Sequence, residues 1–216
     1  MTIQRPIPDY VAARQAMVDS QLRPQGVNDP LVVEAMASVP RELFVPEELR
    51  PLAYADRPVP LGGGRSMSPA VSVGLLLTAL APRPGQRALI VGAGTGYCAA
   101  LLSEIGLNVV AVESDPSLAA IAAERGLQVH SGSSEEGYAS GAPYDLVLVD
   151  GAVEHVPDAL VDQLRDGGSI GYASIDRGIS RLVIGRKSGG AIGTLTIADS
   201  AVAPLPGFTR PRAFTF

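Results

Sequence analysis

The chain has 216 residues, is 46% hydrophobic and 18% charged, and carries a net charge of −5. This length suits one sizeable domain with an appendage, and the acidic balance without a Lys/Arg cluster argues against nucleic acid as a partner. A single cysteine, Cys98, excludes an intrachain disulfide, and with two histidines beside it no Cys/His metal cluster is expected.

Residues 1–84 read as Pro-interrupted and helical. Asp9 is placed to cap a helix running to about Gln21, and Asn28 or Asp29 a second one with Pro30 in its first turn. A stretch rich in Pro and charge follows from Pro40 to Pro60, and then the turn Gly62-Gly63-Gly64. Ser68-Pro69 reads as N-cap and first-turn proline of an apolar helix ending near Leu80. The apolar run Val71 to Leu80 is far too short to span a membrane. The N-terminus lacks a basic-then-apolar leader, so a cytoplasmic location is expected.

Pro82-Arg83-Pro84-Gly85 reads as a boundary, with residues 85–216 forming the second part of one compact unit. Beyond it strands are expected at 87–91, 108–112, 127–130, 145–149 and 169–174, and helices at 97–105, 116–124 and 157–164. This alternation predicts an α/β, doubly wound, Rossmann-like fold with a mostly parallel sheet covered on both faces. The runs 180–186 and 193–198, split by Lys187-Ser188-Gly189-Gly190, predict an antiparallel hairpin at the sheet edge.

The chemistry concentrates at the strand ends. Ala88 to Val91 lead into Gly92-Ala93-Gly94-Thr95-Gly96, and a helix follows from Tyr97. A strand, glycine loop and helix start bring backbone close to a nucleoside-like ligand. A dinucleotide fingerprint spaces its third glycine one residue later. Gly-x-Gly-x-Gly points to an S-adenosyl-L-methionine (AdoMet) site, with Gly92, Ala93, Gly94 and Gly96 as cofactor residues. Glu113 ends the second predicted strand, where a carboxylate reaches ribose hydroxyls. Ser133 follows the third strand, on the loop expected beside the adenine. Asp150 ends the fourth, placed for the amino-acid part of the cofactor or for substrate. Ser66, Met67 and Ser68 follow the triple glycine, and a helix start there presents donors to a carboxylate. No hydrolase-type nucleophile–base pair is visible, and His130 and His155 read as structural or surface residues.

From about Gln15 to Gly171 the chain resembles the protein-L-isoaspartate O-methyltransferase family. The resemblance rests on Met36-Ala37-Ser38-Val39-Pro40-Arg41-Glu42-Leu43-Phe44-Val45-Pro46 and on Ala53-Tyr54-Ala55-Asp56-Arg57-Pro58-Val59-Pro60-Leu61-Gly62. Ala142-Pro143-Tyr144-Asp145 and Val156 to Leu164 are similar to the family's fourth strand and following helix. The resemblance implies an AdoMet-dependent repair enzyme for damaged proteins. Such an enzyme methylates the free carboxylate of isoaspartyl residues, and the ester then closes to a succinimide that hydrolyses partly to aspartate. It also implies Ser68 as the serine of the substrate loop, with Arg65, Ser66 and Met67 beside it.

The chain departs from the family pattern at five places. Arg65 replaces a glutamine, and its guanidinium suits a carboxylate. Pro69 directly follows the loop serine. Ile90 stands where an acidic residue usually precedes the first glycine, Ser133 where an aspartate is expected and Asp150 where a threonine is common. These changes leave two alternatives open. One is a methyltransferase for a different carboxylate, and the other a non-catalytic relative that serves as a binding module.

Overall fold

The computed structural model describes residues 9–210; the C-terminal residues 211–216, which match no family motif, lie outside the described residues. Helix α1 (Tyr10–Met17) starts where the Asp9 carboxylate accepts from Ala12 N at 3.0 Å, and it continues through a π-helical turn, Val18–Leu22. Helix α2 (Pro30–Ser38) is capped by Asp29, which accepts from Leu31 N at 3.0 Å. Proline costs nothing at the first position because that N–H has no partner in a helix. The Pro-rich stretch forms two 3₁₀ turns, Arg41–Phe44 and Glu47–Leu52.

The triple glycine is the tip of an antiparallel hairpin between β1 (Val59–Gly62) and β2 (Arg65–Met67), where the sequence suggested only a turn. Helix α3 (Ala70–Leu80) follows, but Ser68 does not cap it. The cap position is Pro69, and the Ser68 hydroxyl reaches a partner 82 residues away.

The main sheet is built from β3 (Arg87–Val91), β4 (Asn108–Glu113), β5 (Val129–Ser131), β6 (Tyr144–Val153), β7 (Leu164–Asp176), β8 (Ile179–Ser188) and β9 (Ala191–Ser200). Their order is β5-β4-β3-β6-β7-β8-β9, parallel from β5 to β7 and antiparallel from β7 to β9. Helices α4 (Tyr97–Glu104), α5 (Pro116–Glu124) and α6 (Asp158–Asp162) link the parallel strands. This is the expected doubly wound, Rossmann-like architecture with its antiparallel edge.

Strand alternation explains why the central strands are apolar throughout. Ala88 and Ile90 of β3, with Leu146 and Leu148 of β6, join the core on one face. Leu89 and Val91, with Val147 and Val149, join a second core on the other. The chain leaves β3 for β4 on one side and returns with β6 on the other, so a crevice opens at the carboxyl end of β3. No helix among the described residues is long and apolar enough to cross a membrane.

Candidate active site

Four segments converge on the carboxyl end of β3. The glycine loop is the first. Gly92 N and Ala93 N donate to Val112 O at 2.9 and 3.1 Å, which ties the loop to β4. Gly92, Gly94 and Gly96 have φ of +71°, +56° and +98°, conformations that side chains with a Cβ disfavour. Gly96 is the N-cap of α4.

Glu113 is the second component and ends β4 with no exposed surface. Its Oε2 accepts from Gly94 N at 2.6 Å and its Oε1 from Asp115 N at 3.0 Å. The carboxylate therefore fixes the glycine loop as well as facing the crevice.

The third is Asp150 on β6. Between Leu148 and Ala152 the strand advances four residues while its partner β7 advances two, from Gly171 to Ala173. This bulge takes Val149, Asp150 and Gly151 out of the ladder with β7, although Val149 stays paired with Val91 of β3, and such a distortion re-aims side chains. Asp150 Oδ1 accepts from Ser68 Oγ at 2.6 Å in a buried contact. The carboxylate thus lies on the Ser68 side of the site, at a strand end the sequence reading placed for the cofactor's amino-acid part or for substrate.

The β1–β2 hairpin supplies the fourth. Arg65 and Met67 share its inward face, and both are buried. Met67 joins the apolar core, and Ser66 on the other face is half-buried. The Arg65 guanidinium lies inside the crevice. Its Nη2 donates to Gly92 O at 2.5 Å and approaches Asp150 O at 3.4 Å, and its Nε is 3.4 Å from Glu113 Oε2. One side chain therefore bridges the glycine loop, the β4 carboxylate and the β6 bulge.

Sequence reading missed several members of this assembly. Arg41 has no exposed surface, donates through Nε to Ala53 O at 2.7 Å and through Nη2 to Ser68 O, and lies 4.7 Å from the Tyr97 ring centroid. It fixes the backbone that carries Ser68. Thr95 Oγ1 donates to Phe44 O at 2.5 Å, linking the glycine loop to the Arg41 turn. Cys98 is buried against Asp150, and burial first, then the negative charge of Asp150, push its thiol well up. Leu205 packs over Gly92 and Gly151. None of these has a spacing signal. They come together only through the tertiary fold.

Ser133 is exposed, while its neighbour Ser134 is buried with an unpartnered Oγ. Ile90 is buried in the apolar core. His130 stacks on Tyr138 at 3.9 Å between ring centroids.

The group types suit an adenosyl group. The glycines put no Cβ between the loop backbone and a flat ligand, Glu113 brings acceptor oxygens to the end of β4, and the orphaned Ser134 Oγ stands on the loop expected beside the base. Orphaned buried polar atoms are uncommon in proteins and mark places where a partner belongs.

Comparison with known proteins places the chain in a family. The profile of the family "Protein-L-isoaspartate(D-aspartate) O-methyltransferase (PCMT)" matches residues 12–189. A protein-L-isoaspartate O-methyltransferase of Methylorubrum extorquens is 42% identical over 175 residues, covering 78% of this chain and 77% of its own. Protein-L-isoaspartate O-methyltransferase 1 of Rhodopseudomonas palustris is 39% identical over 207 residues, covering 92% and 84%. A solved protein-L-isoaspartate O-methyltransferase superposes with a TM-score of 0.77 at 24% identity, covering 90% of this chain and 66% of that one. A Plasmodium falciparum structure described as a member of the same family, in complex with S-adenosyl-L-homocysteine, gives a TM-score of 0.76 at 19% identity over 92% and 99%. The solved structures speak for the fold. The sequence matches span the glycine loop and the Ser68 segment together, and so this chain belongs to the protein-L-isoaspartate(D-aspartate) O-methyltransferase family.

Proposed function

We propose that this enzyme transfers a methyl group from AdoMet to the free carboxylate of isoaspartyl residues in damaged proteins or peptides. The observation that carries the reading is the family match over residues 12–189, which includes both halves of the site. When bound, AdoMet supplies a methyl group on a positively charged sulfur.

The demands on the chain's own residues are modest. The acceptor carboxylate is ionised at neutral pH, because an α-carboxyl group has a pKa of about 3.3–3.7. It needs alignment and removal from water and no general base. Gly92, Ala93, Gly94, Gly96 and Glu113 are proposed to hold the adenosyl group, with the Ser133–Ser134 loop at the base. Ser68 is proposed to steady the acceptor carboxylate through its hydroxyl, whose present partner is Asp150. Arg65 adds a positive charge on the same side. Arg41 is a positioning residue, because it acts on Ser68 through the backbone. Cys98 keeps its proton and so does not compete for the methyl group.

The test is methyl transfer from radiolabelled AdoMet to an isoaspartyl peptide beside its aspartyl twin. Label on the isoaspartyl peptide alone is expected. Label on neither, from folded protein at saturating AdoMet, overturns the reading. Ser68→Ala is expected to lower kcat/KM roughly 10- to 100-fold, the worth of one hydrogen bond to a charged group. S-adenosylhomocysteine affinity should stay unchanged.

A further inference from the structure

The crevice at the carboxyl end of β3 is filled by the protein itself. Arg65 is 4% exposed and Leu205 3% exposed. A Cβ placed on Gly92 would lie 2.7 Å from Leu205 Cδ1 and 3.0 Å from Arg65 Nη2. One placed on Gly94 would lie 2.9 Å from Leu61 Cδ1. The surface that Gly92 and Gly94 leave bare is thus covered by three side chains from outside the main sheet.

These side chains come from two thin elements. Leu61 and Arg65 belong to the β1–β2 hairpin, whose strands pair only with each other. Its tip carries three consecutive glycines with φ of +95°, +57° and +73°. Leu205 belongs to the segment after β9, which is held to the β6 end by Ala152 N to Ala203 O and Leu205 N to Ala152 O, each 2.8 Å. The two elements lie near each other: a Cβ placed on Gly64 would lie 4.0 Å from Pro206 Cγ.

The electrostatics also favour closure. Glu113 is a fully buried carboxylate, and Arg65 is its cationic partner. A buried charge without an opposite charge beside it is costly, so the pair favours the closed crevice, in which Gly94 N and Asp115 N also donate to the carboxylate. A ribose diol offers two hydroxyl donors to the same carboxylate. Arg65 has to withdraw before they reach Oε2.

We infer that Arg65 and Leu205 form a gate over the cofactor crevice. In the closed state Arg65 neutralises Glu113 and Leu205 seals the glycine loop. In the open state the hairpin and the 203–207 segment move off together, and Glu113 exchanges its guanidinium partner for ribose hydroxyls. The inference rests on the proposed adenosyl site. A ligand that binds only the open state has its affinity reduced by the fraction of molecules that are open. Removing the closing contact therefore tightens binding.

The test is calorimetric titration of S-adenosylhomocysteine into the wild type, Arg65→Ala and Leu205→Ala. Hydrogen exchange of the wild type, with and without ligand, accompanies it. At least fivefold tighter binding is expected for Arg65→Ala, and a smaller gain for Leu205→Ala. In the wild type the Leu205 amide is expected to exchange faster once ligand is bound, because its bond to Ala152 opens. Equal or weaker binding by Arg65→Ala, with wild-type binding intact, overturns the gate and leaves the cofactor site standing. Absence of binding by folded wild type and folded Arg65→Ala at millimolar ligand overturns the cofactor site and the gate with it. The exchange measurement needs only the wild type, so an unchanged Leu205 amide overturns the gate even if a variant fails to fold.

Discussion

Cys98 shows how one buried residue reports on the proposed site. It lies on the first turn of α4, beside Asp150, and is buried. Burial disfavours the thiolate, and the neighbouring carboxylate disfavours it further, so the folded protein holds the thiol form well above its ordinary range. Alkylation needs the thiolate, whose fraction grows with pH up to the folded-state pKa. Native protein is therefore expected to resist iodoacetamide between pH 7 and 8.5, whereas unfolded protein reacts at the rate of an ordinary thiol. Mass spectrometry of samples quenched over time checks this, and complete modification of native protein within minutes would contradict the burial. The sequence reading used Cys98 only to exclude an intrachain disulfide and a Cys/His metal cluster. Its neighbour Asp150 is 52 positions away in the chain, and no local pattern connects them.

At the scale of elements, strands and glycine turns were legible and close approaches were not. The apolar run 87–91 appears as β3 with the expected bounds, because a buried parallel strand is apolar on both faces. The run 108–112 extends to Glu113, so the carboxylate sits inside the ladder. The β1–β2 hairpin was not legible, since strands of four and three residues give no period to read. The expected helix 157–164 shortens to Asp158–Asp162, and β7 begins at once at Leu164. Helix α3 illustrates the packing limit. Gly74 lies mid-helix, where propensity alone favours alanine by about 1 kcal/mol. A Cβ there would lie 2.8 and 3.0 Å from the two methyl carbons of Val27 and 3.4 Å from Met36 Sδ. Val27 is buried and β-branched, so its methyl groups have little freedom to turn away. Overpacking of this kind costs about 2–3 kcal/mol. Gly74→Ala is thus expected to lose a net 1–2 kcal/mol, roughly the difference of these two effects, measured by urea denaturation. A gain in stability would show that the α2–α3 contact is looser than the packing indicates.

At the scale of the whole molecule, the composition change near residue 84 raises the question of whether the N-terminal helices fold apart from the sheet. Met17, Leu22, Val32 and Met36 from α1, the π-helical turn and α2 lie in the same buried cluster as Leu77 of α3, Ile90 of β3 and Leu101 of α4. A unit that folds alone needs its own core, and these residues have theirs in common with the sheet. Buried polar contacts cross the same seam, among them Arg41 to Ser68 and Thr95 to Phe44. The seam also crosses the proposed site, because the Arg41 turn holds the Ser68 backbone while the sheet presents Asp150. We therefore expect one cooperative unfolding transition. Far-UV circular dichroism and tyrosine fluorescence should give the same urea midpoint, since Tyr54 and Tyr97 belong to the shared cluster and Tyr144 to the opposite face of the sheet. The most protected amides of α2 and of β6 should likewise exchange with the same opening free energy. An early transition that releases α1 and α2 while the sheet persists would separate the N-terminal region as a folding unit. Ser68 would then depend on docking between two parts, and activity would fall at the first midpoint, ahead of the sheet.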